Sequence, residues 1–348
     1  MTDLLLGPGP IGAVVKALVV LGVVMGIVGP MVWAERRIAG WIQNRQGPNR
    51  VGPFGLLQPL ADGIKFIFKE PMAPEGAHVP LYVLAPALSF TAALSTFAVI
   101  PFADRFAAFG HEIWPIVADL DIGILWVFAV ASLGVYAIVL AGWSSNNKYA
   151  MLGGLRSSAQ MISYELSLTV SVVGVLMVAG SLRLTDIVTS QANGLWNVIT
   201  QPLGFLVFIT SAFAETNRLP FDLPEAEPEL VAGYHTEYSS MKFLMFYMAE
   251  YANVVLSACM ITLLFFGGWH LPFTANLLAG AAPIVAGLVG IGIFLAKVFF
   301  FLFVYIWVRW TLPRFRYDQL MSLGWKGMLP LAVANLVWTA GLILWKLA

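Results

Sequence analysis

The chain has 348 residues, of which 59% are hydrophobic and 11% charged, with 19 basic and 19 acidic side chains. Together with a mean hydropathy of +0.82, this composition excludes an ordinary soluble fold, and the zero net charge does not indicate a nucleic-acid partner. The single cysteine, Cys259, excludes a disulfide framework and a self-contained iron–sulfur cluster, because such a cluster takes about four thiolates.

Apolar runs of about twenty residues recur along the chain, and each is long enough for a helix to cross roughly 30 Å of hydrocarbon. Runs of this length lack the period-2 alternation of a membrane barrel. The pattern predicts an all-α polytopic membrane protein with about eight transmembrane helices, forming a single integral membrane domain over residues 1–348. The predicted spans are 11–33, 81–101, 122–142, 158–180, 196–214, 243–266, 285–310 and 328–346.

The distribution of positive charge predicts the orientation of these spans. The loops after the odd-numbered spans hold 14 lysines and arginines, whereas the other loops and the C-terminus hold 3. Because lysine and arginine are enriched in cytoplasmic loops, the odd-numbered loops should face the cytoplasm or the mitochondrial matrix. Both termini should then face outward.

The first inner loop predicts an amphipathic helix that begins at Leu56. Pro59 is tolerable there because it falls in the first turn. Apolar and polar residues alternate with a helical period: Leu57, Leu60, Ile64 and Phe68 share one face, and Gln58, Asp62, Lys65 and Lys69 share another. Two interpretations stay open, a helix that rests on lipid headgroups and a helix that lines the mouth of a polar cavity.

The third inner loop contains FDLPEAEPELVAGYHTEY, residues 221–238, with five of the chain's 19 acidic side chains. Pro220, Pro224 and Pro228 block a regular helix there. The loop is either a hydrated surface segment or a folded cap of crowded carboxylates. In a folded cap, the carboxylates would repel one another and raise each other's pKa values, so that some carry protons near neutral pH.

Several charged residues fall inside the predicted spans. Glu165 and Glu250 lie about seven residues in from the inner ends of their spans, Lys297 lies deeper, and Glu35 and Glu215 lie at inner ends. A charge at the bilayer centre costs about 2.5–3.5 kcal/mol on insertion scales. Because these acids occupy only the inner half, they predict a proton path that enters from inside and runs sideways to a neighbour. A network that only locks helices together is the alternative.

Four stretches resemble the H-type membrane subunit (subunit 1 in mitochondria) of proton-pumping NADH:quinone oxidoreductase, respiratory complex I. They are AERRIAGWIQNRQGPNRVGPFGLLQPLADGIKF, AGWSSNNKYAMLGGLRSSAQMISYELSL, AETNRLPFDLPEAEPELVAGYHTEYSSMKFLMFYMAEY and RWTLPRFRYDQLMSLGWK. They follow the order of that family within a resemblance that runs from Trp33 to Leu344. The chain departs from the family pattern at Ala226 and Pro228, where the family has Gly and a small residue. The resemblance therefore does not predict the conformation of the acidic loop.

The resemblance implies specific roles for residues of this chain. The quinone tunnel would involve Glu35, Arg36, Arg45, Asp62, Lys65 and Phe66. The acidic relay would comprise Glu165, Glu215, Glu225, Glu227, Glu229 and Glu250, supported by Arg218, His235, Tyr238 and Arg309. Neither a metal nor a redox cofactor is expected on this chain: ubiquinone or a similar quinone would be its substrate, with FMN and iron–sulfur clusters in partner subunits.

The resemblance also implies partners and a location. The partners would be the peripheral-arm subunits at the quinone site, the adjacent small and antiporter-like membrane subunits, and membrane lipids. The location would be the bacterial inner membrane, or the mitochondrial inner membrane if the protein is organellar.

Two other functions stay open at this point. The membrane subunit of an energy-converting hydrogenase would share the scaffold but have no quinone tunnel. An ion-coupled secondary transporter would use Glu165 and Glu250 as its binding pair and should show inverted repeats, which the sequence does not contain.

Overall fold

The computed structural model describes residues 10–108, 111–192, 194–222, 231–271 and 282–347. Within these ranges almost all regular structure is helical. The α-helices are α1 (Pro10–Ile42), α2 (Gln58–Phe68), α3 (Val79–Ser95), α4 (Gly123–Ala131), α5 (Leu133–Ser144), α6 (Lys148–Ala179), α7 (Leu184–Ala192), α8 (Asn197–Thr200), α9 (Pro202–Glu215), α10 (Ser240–Phe265), α11 (Pro283–Thr311), α12 (Tyr317–Ser322) and α13 (Leu329–Leu347). Short 3₁₀ turns lie at Pro53–Gly55, Thr96–Val99 and Gly233–His235, and a π-helical turn at Leu323–Met328 joins α12 to α13.

The described part of the chain has seven helical segments that are long and apolar enough to cross a membrane. They are α1, α3 with its 3₁₀ turn, α4 with α5, α6, α10, α11, and the segment that runs from α12 into α13. The predicted all-α polytopic class is therefore confirmed. A two-stranded antiparallel pair, β1 (Phe106–Ala108) and β2 (His111–Ile113), lies in the loop after the second span.

The predicted span at 196–214 is shorter than expected. It consists of the four-residue α8 and the 14-residue α9, and α9 is only about 21 Å long at 1.5 Å per residue. The break falls at Gln201, whose backbone is not helical (φ −134°, ψ 58°). Gln201 precedes Pro202, and the proline ring disfavours the helical conformation at the residue before it.

Helix α6 begins ten residues before the predicted span 158–180, so the prediction that residues 148–157, with Lys148 and Arg156, belong to the loop before this span was wrong. The Asn147 side chain caps this helix by accepting a hydrogen bond from the Tyr149 amide at 2.8 Å. The first turns are too polar to register as an apolar run, yet Gly153 and Gly154 are buried there against neighbouring backbone. Because these glycines pack closely against neighbouring backbone, the first turns of α6 are stabilised by contacts within the protein and do not need apolar side chains.

The amphipathic helix predicted in the first inner loop is confirmed as α2, which begins at Gln58 with Pro59 in its first turn. Its apolar residues point away from the rest of this chain, since Leu60 is 62% and Phe68 84% exposed. Its polar face turns toward α1, where Arg36 contacts Asp62.

Helix α10 is the centre of the fold, because 78% of its most apolar stretch is buried. It packs against α1, α2, α3 and α11. Beyond its C-terminal end, Lys297 of α11 donates hydrogen bonds to three backbone carbonyls, those of Phe266 (2.7 Å), Gly268 (2.8 Å) and His270 (2.6 Å). A lysine near a helix C-terminus satisfies carbonyls that the helix leaves unpaired. Here the carbonyls belong to the C-cap residue Phe266 and to the turn that follows, so the deepest predicted intramembrane charge stabilises the turn after α10.

Candidate functional site

A cavity of about 370 Å³ lies between α1, α2 and the N-terminal half of α10. This volume is near the lower end of the roughly 300–1,000 Å³ that ligand pockets span. Most of its wall is apolar, and the polar groups come from a few converging side chains. Its lining includes Met25, Val28, Val32, Arg36, Asp62, Lys65, Phe66, Phe243 and Tyr247.

Asp62 organises the polar side of this cavity. Its carboxylate accepts a hydrogen bond from Arg36 Nη1 at 2.6 Å and from Gln58 Nε2 at 3.2 Å, and the Lys65 ammonium lies 3.9 Å away. The Lys65 ammonium also lies 4.8 Å from the centre of the Phe66 ring. The structure thus brings Arg36 of α1 together with Asp62, Lys65 and Phe66 of α2.

A network of buried charges adjoins the cavity, with Glu35 of α1 at its centre. Glu35 is 4% exposed, and its Oε2 accepts hydrogen bonds from Arg218 Nη1 and from the Tyr251 hydroxyl, both at 2.7 Å. Arg309 of α11 donates to the other carboxylate oxygen. A carboxylate with two guanidinium partners and a hydroxyl donor is stabilised in its ionised form.

Arg218 links Glu35 to Glu250. Its Nε lies 2.7 Å from Glu250 Oε1, and its guanidinium carbon lies 4.1 Å from the centre of the Tyr251 ring. Burial lowers the pKa of Arg218, but the carboxylates of Glu35 and Glu250 outweigh burial and hold that pKa well above its ordinary value. Two carboxylates and two guanidinium groups therefore meet here with no net charge, which is how a buried ionic cluster becomes tolerable.

Two tyrosines connect the cavity to the network. Tyr247 lines the cavity, and its hydroxyl lies 3.0 Å from that of Tyr251, which donates to Glu35. Neither tyrosine was predicted from the sequence. The signal was present in FLMFYMAEY, where the two tyrosines are one helical turn apart and the second directly follows Glu250.

A second buried ion pair joins Asp222 to Arg314, whose Nη2 lies 3.2 Å from Asp222 Oδ2. Burial raises the pKa of Asp222 to about 6, against the opposing effect of Arg314, and Glu250 raises it further. Asp222 is thus an acid of the third inner loop with a raised pKa, as predicted, although burial rather than crowding is the main cause. Glu225, Glu227 and Glu229 lie outside the described residues.

Glu165 and Glu215 form a pair of a different kind. Both are half-buried, their carboxylates repel each other, and neither has an ion-pair partner in the part of the chain that the structure describes. Glu215 also lines a small cavity of about 30 Å³ with Asn253 and Ser257. That volume holds about two water molecules.

Three predicted site residues lie apart from these groups. Arg45 is exposed and donates a hydrogen bond to Gln43 at 2.6 Å. Tyr238 stacks on Tyr82 with ring centres 4.2 Å apart. His235 packs against aromatic rings, and burial lowers its pKa to about 4. His235 is therefore neutral at physiological pH. It contacts Phe243 of the cavity lining, but none of the three residues itself lines the cavity or belongs to the ion network around Glu35.

Comparison with known proteins identifies the family. Residues 15–340 match the family described as NADH dehydrogenase. A Koribacter versatilis protein, named as an H subunit of NADH-quinone oxidoreductase, is 52% identical over 343 residues, covering 94% of this chain and 96% of its own. An H subunit of NADH-quinone oxidoreductase from Leptospira biflexa is 51% identical over 326 residues, covering 91% of this chain and 90% of its own. A Rhodothermus marinus protein named NADH-quinone oxidoreductase subunit 8 is 51% identical over 330 residues, covering 92% of this chain and 94% of its own. The chain therefore belongs to the NADH dehydrogenase family, among the H subunits of the membrane complex NADH-quinone oxidoreductase.

Proposed function

We propose that this chain forms the quinone entrance, the tunnel and the floor of the headgroup site, and that it couples quinone reduction to proton translocation. The observation that supports this most directly is the unbroken series of contacts from the cavity to the buried charges. It runs from Tyr247 through Tyr251 to Glu35, and from Glu35 through Arg218 to Glu250.

The cavity suits a quinone chemically. Its apolar wall fits an aromatic ring and the start of an isoprenoid tail, whereas Arg36 and Lys65 supply donors for a headgroup carbonyl. The exposed apolar face of α2 (Leu60, Ile64 and Phe68) would rest in the membrane beside the opening. Helix α2 would then rest on lipid with its apolar face and line the mouth of the cavity with its polar face, so both interpretations of the sequence would apply.

Coupling would follow from electrostatics. Reduction of a quinone requires two protons and passes through a transient negative charge. In a poorly screened interior such a charge acts strongly on ionisable groups nearby. The tyrosine pair would transmit it to Glu35, whose network stays ionised because its charges balance. Glu165 and Glu215, which have no described cation partner, would be the acids that change protonation, together with Glu225, Glu227 and Glu229.

The proposal includes the surroundings of the chain. Residues 1–348 would form one integral membrane domain in the bacterial inner membrane, or in the mitochondrial inner membrane if the protein is organellar. Peripheral-arm subunits that hold FMN and iron–sulfur clusters would cover the inner face and reduce ubiquinone. Small and antiporter-like membrane subunits would contact the side that carries Glu165, and lipids would cover the remaining surface.

Charge-neutral substitution in the assembled complex tests the relay. We expect Glu165→Gln, and the joint change Glu227→Gln with Glu229→Gln, to lower quinone-linked proton pumping by about tenfold or more, since positioned proton carriers typically contribute factors of 10² or greater. NADH–ferricyanide reduction by the peripheral arm should persist. Asp318→Asn is the matched control, because that carboxylate is 70% exposed on the inner side. Unchanged quinone turnover and pumping in both relay variants would exclude the proposed path.

A further inference from the structure

One wall of the cavity between α1, α2 and α10 is a helix that buries none of its own residues. Helix α2 has 11 residues, and all of them keep some exposure. Isolated helices shorter than about 12–15 residues are marginal in water, so α2 depends on contacts with its neighbours. The contact of Asp62 with Arg36 of α1 holds its first half. The position of its C-terminal half depends on what holds it against α10.

Ser240, the first residue of α10, makes that contact. Its hydroxyl donates to the carbonyl of Phe66 at 2.9 Å and to the carbonyl of Lys69 at 2.8 Å. A serine hydroxyl has one proton, so the two carbonyls share it. Both lie at the end of α2, where the last carbonyls of a helix have no intrahelical donor. A side chain of α10 therefore caps the C-terminus of α2.

The two serines at the start of α10 bond to the chain at the end of α2 and not to their own helix. Serine is a common N-cap residue, yet Ser239, at the N-cap of α10, makes no side-chain cap. Its Oγ instead accepts a hydrogen bond from the Met72 amide at 3.3 Å. Ser240 is 3% exposed and has a left-handed backbone with φ 56°, which residues with a Cβ rarely adopt. Residues in such conformations are concentrated at functional sites, where the surrounding structure holds them.

The contact of Ser240 lies at the edge of the cavity. Phe66, whose carbonyl accepts from Ser240, lines the cavity from α2, and Phe243, three residues after Ser240, lines it from α10. The centres of these two rings are 5.7 Å apart. The hydroxyl of Ser240 thus joins the two walls at the place where their aromatic rings meet.

We propose that Ser240 is a positioning residue for the quinone: it fixes the C-terminal end of α2 against α10 and so sets the separation of the walls at Phe66 and Phe243. This inference rests on the proposed function, because it takes the cavity as the place where a quinone binds. A planar ring held between apolar walls needs a fixed separation, since dispersion contacts weaken steeply as a gap opens. Without the hydroxyl, the end of α2 would move away from α10 and the cavity would hold the quinone less tightly.

Two substitutions separate the effect of the hydroxyl from that of the backbone. Ser240→Ala removes the hydroxyl and keeps the Cβ, whereas Ser240→Gly removes the hydroxyl and also relieves the left-handed backbone. In the intact complex we expect both to raise the KM for decylubiquinone about two- to tenfold, as loss of a hydrogen bond does. The kcat should stay almost unchanged, because a loss of uniform binding raises KM alone. Ser240→Gly should also keep at least the wild-type thermal inactivation midpoint, which separates its higher KM from misfolding.

Hydrogen exchange on the same complexes tests the contact without any quinone. Amides of residues 65–72 should exchange faster in both variants than in the wild type. Ser158→Ala is the matched control, because Ser158 is 8% exposed and its hydroxyl donates to a carbonyl of its own helix, that of Leu155 at 3.0 Å. Its KM and its exchange at residues 65–72 should equal those of the wild type.

Three results would overturn the inference. A KM that rises in Ser240→Ala but not in Ser240→Gly would show that the backbone, and not the hydroxyl, is responsible. Unchanged exchange at residues 65–72 in both variants would show that the hydroxyl does not hold the end of α2. Faster exchange with an unchanged KM would show that the end of α2 does not position the quinone.

Gly29→Leu distinguishes failure of this inference from failure of the proposed function. Gly29 lines the cavity from α1, and a Cβ there would have nothing within 4 Å. The leucine should therefore enter the cavity and raise the KM if a quinone binds there. A raised KM in Gly29→Leu with an unchanged KM in both Ser240 variants would exclude only the role of Ser240. An unchanged KM in all three variants would contradict the proposed quinone site itself.

Discussion

At the scale of single residues, Arg218 is the cation on which the buried network depends most. It is 3% exposed and contacts both Glu35 and Glu250. Replacing it with methionine would leave two buried carboxylates with Arg309 as the remaining cation. Breaking a buried pair by removing one partner costs about 3–5 kcal/mol. We therefore expect Arg218→Met to lower the thermal inactivation midpoint of the solubilised complex strongly and to reduce assembly.

The control for this prediction is Arg316→Met. Arg316 pairs with Asp318, and both side chains are largely exposed, at 76% and 70%. Exposed pairs contribute about 0–1 kcal/mol, so this variant should assemble and inactivate almost as the wild type does. Equal effects of the two substitutions would contradict the assignment of Arg218 as the central cation.

Asp222 provides a prediction about pH. Because burial raises its pKa in the folded chain to about 6, from an unfolded value near 3.9, the folded state binds the proton more tightly than the unfolded state. The resulting stability is fully present below the unfolded pKa and is lost as the pH rises through about 6. Relative to Asp222→Asn, the wild type should lose roughly 1 kcal/mol of stability between pH 5 and pH 7.

The measurement for Asp222 is the thermal inactivation midpoint of both proteins at pH 5, 6 and 7. Only the difference between the two midpoints is used. A difference that stays constant across the three pH values would show that Asp222 does not titrate in this range.

At the scale of elements, the contact between α6 and the turn after the acidic loop depends on glycine. A Cβ at Gly153 would lie 2.7 Å from Gly233 Cα and 2.8 Å from the Tyr234 amide nitrogen. These are backbone atoms, which cannot move without displacing the turn. Overpacking of this kind typically costs about 1–3 kcal/mol, so Gly153→Ala should lower the stability of the complex and weaken quinone-linked activity.

Gly292→Ala is the matched control for this element. Gly292 also lies within a long helix, but a Cβ there would have nothing within 4 Å. Alanine should be neutral or stabilising at that position, by up to about 1 kcal/mol, since it is the better helix former. A destabilisation of Gly292→Ala as large as that of Gly153→Ala would show that the close backbone contact is not the cause.

At the scale of the whole molecule, the distribution of positive charge predicts which side faces the cytoplasm. The sole native cysteine, Cys259, is 2% exposed, so a membrane-impermeant thiol reagent should not reach it. Asp121 and Arg316 lie at opposite ends of the molecule with side chains 82% and 76% exposed. We expect Asp121→Cys to be labelled in right-side-out vesicles and Arg316→Cys only in inverted vesicles from which the peripheral arm has been removed. The reverse result would invert the predicted topology.

Much of the architecture could be read from local patterns. A long apolar run in a membrane must be helical, since its backbone hydrogen bonds have no other partners, and the amphipathic spacing of α2 and the charge asymmetry of the loops are equally local. The predictions were wrong where a segment is buried against other parts of the protein and not by lipid. The first turns of α6 are helical although their sequence is too polar to form an apolar run, and Gln201 divides a predicted span whose apolar run is continuous in the sequence.

By itself, the sequence determined the all-helical membrane class, the amphipathic α2 and the identity of most charged residues that matter, because each depends on residue type and spacing. Only the tertiary structure decided which charges meet. Glu35 and Arg309 are 274 positions apart, and Glu35 and Arg218 are 183 apart, so no periodicity relates them. Packing around α10 brings these three residues together and places Tyr247 and Tyr251 between them and the cavity. It also separates the charge-balanced network of Glu35 from the carboxylates of Glu165 and Glu215. Contacts between distant segments depend on the whole arrangement of helices, and a local pattern does not contain that arrangement.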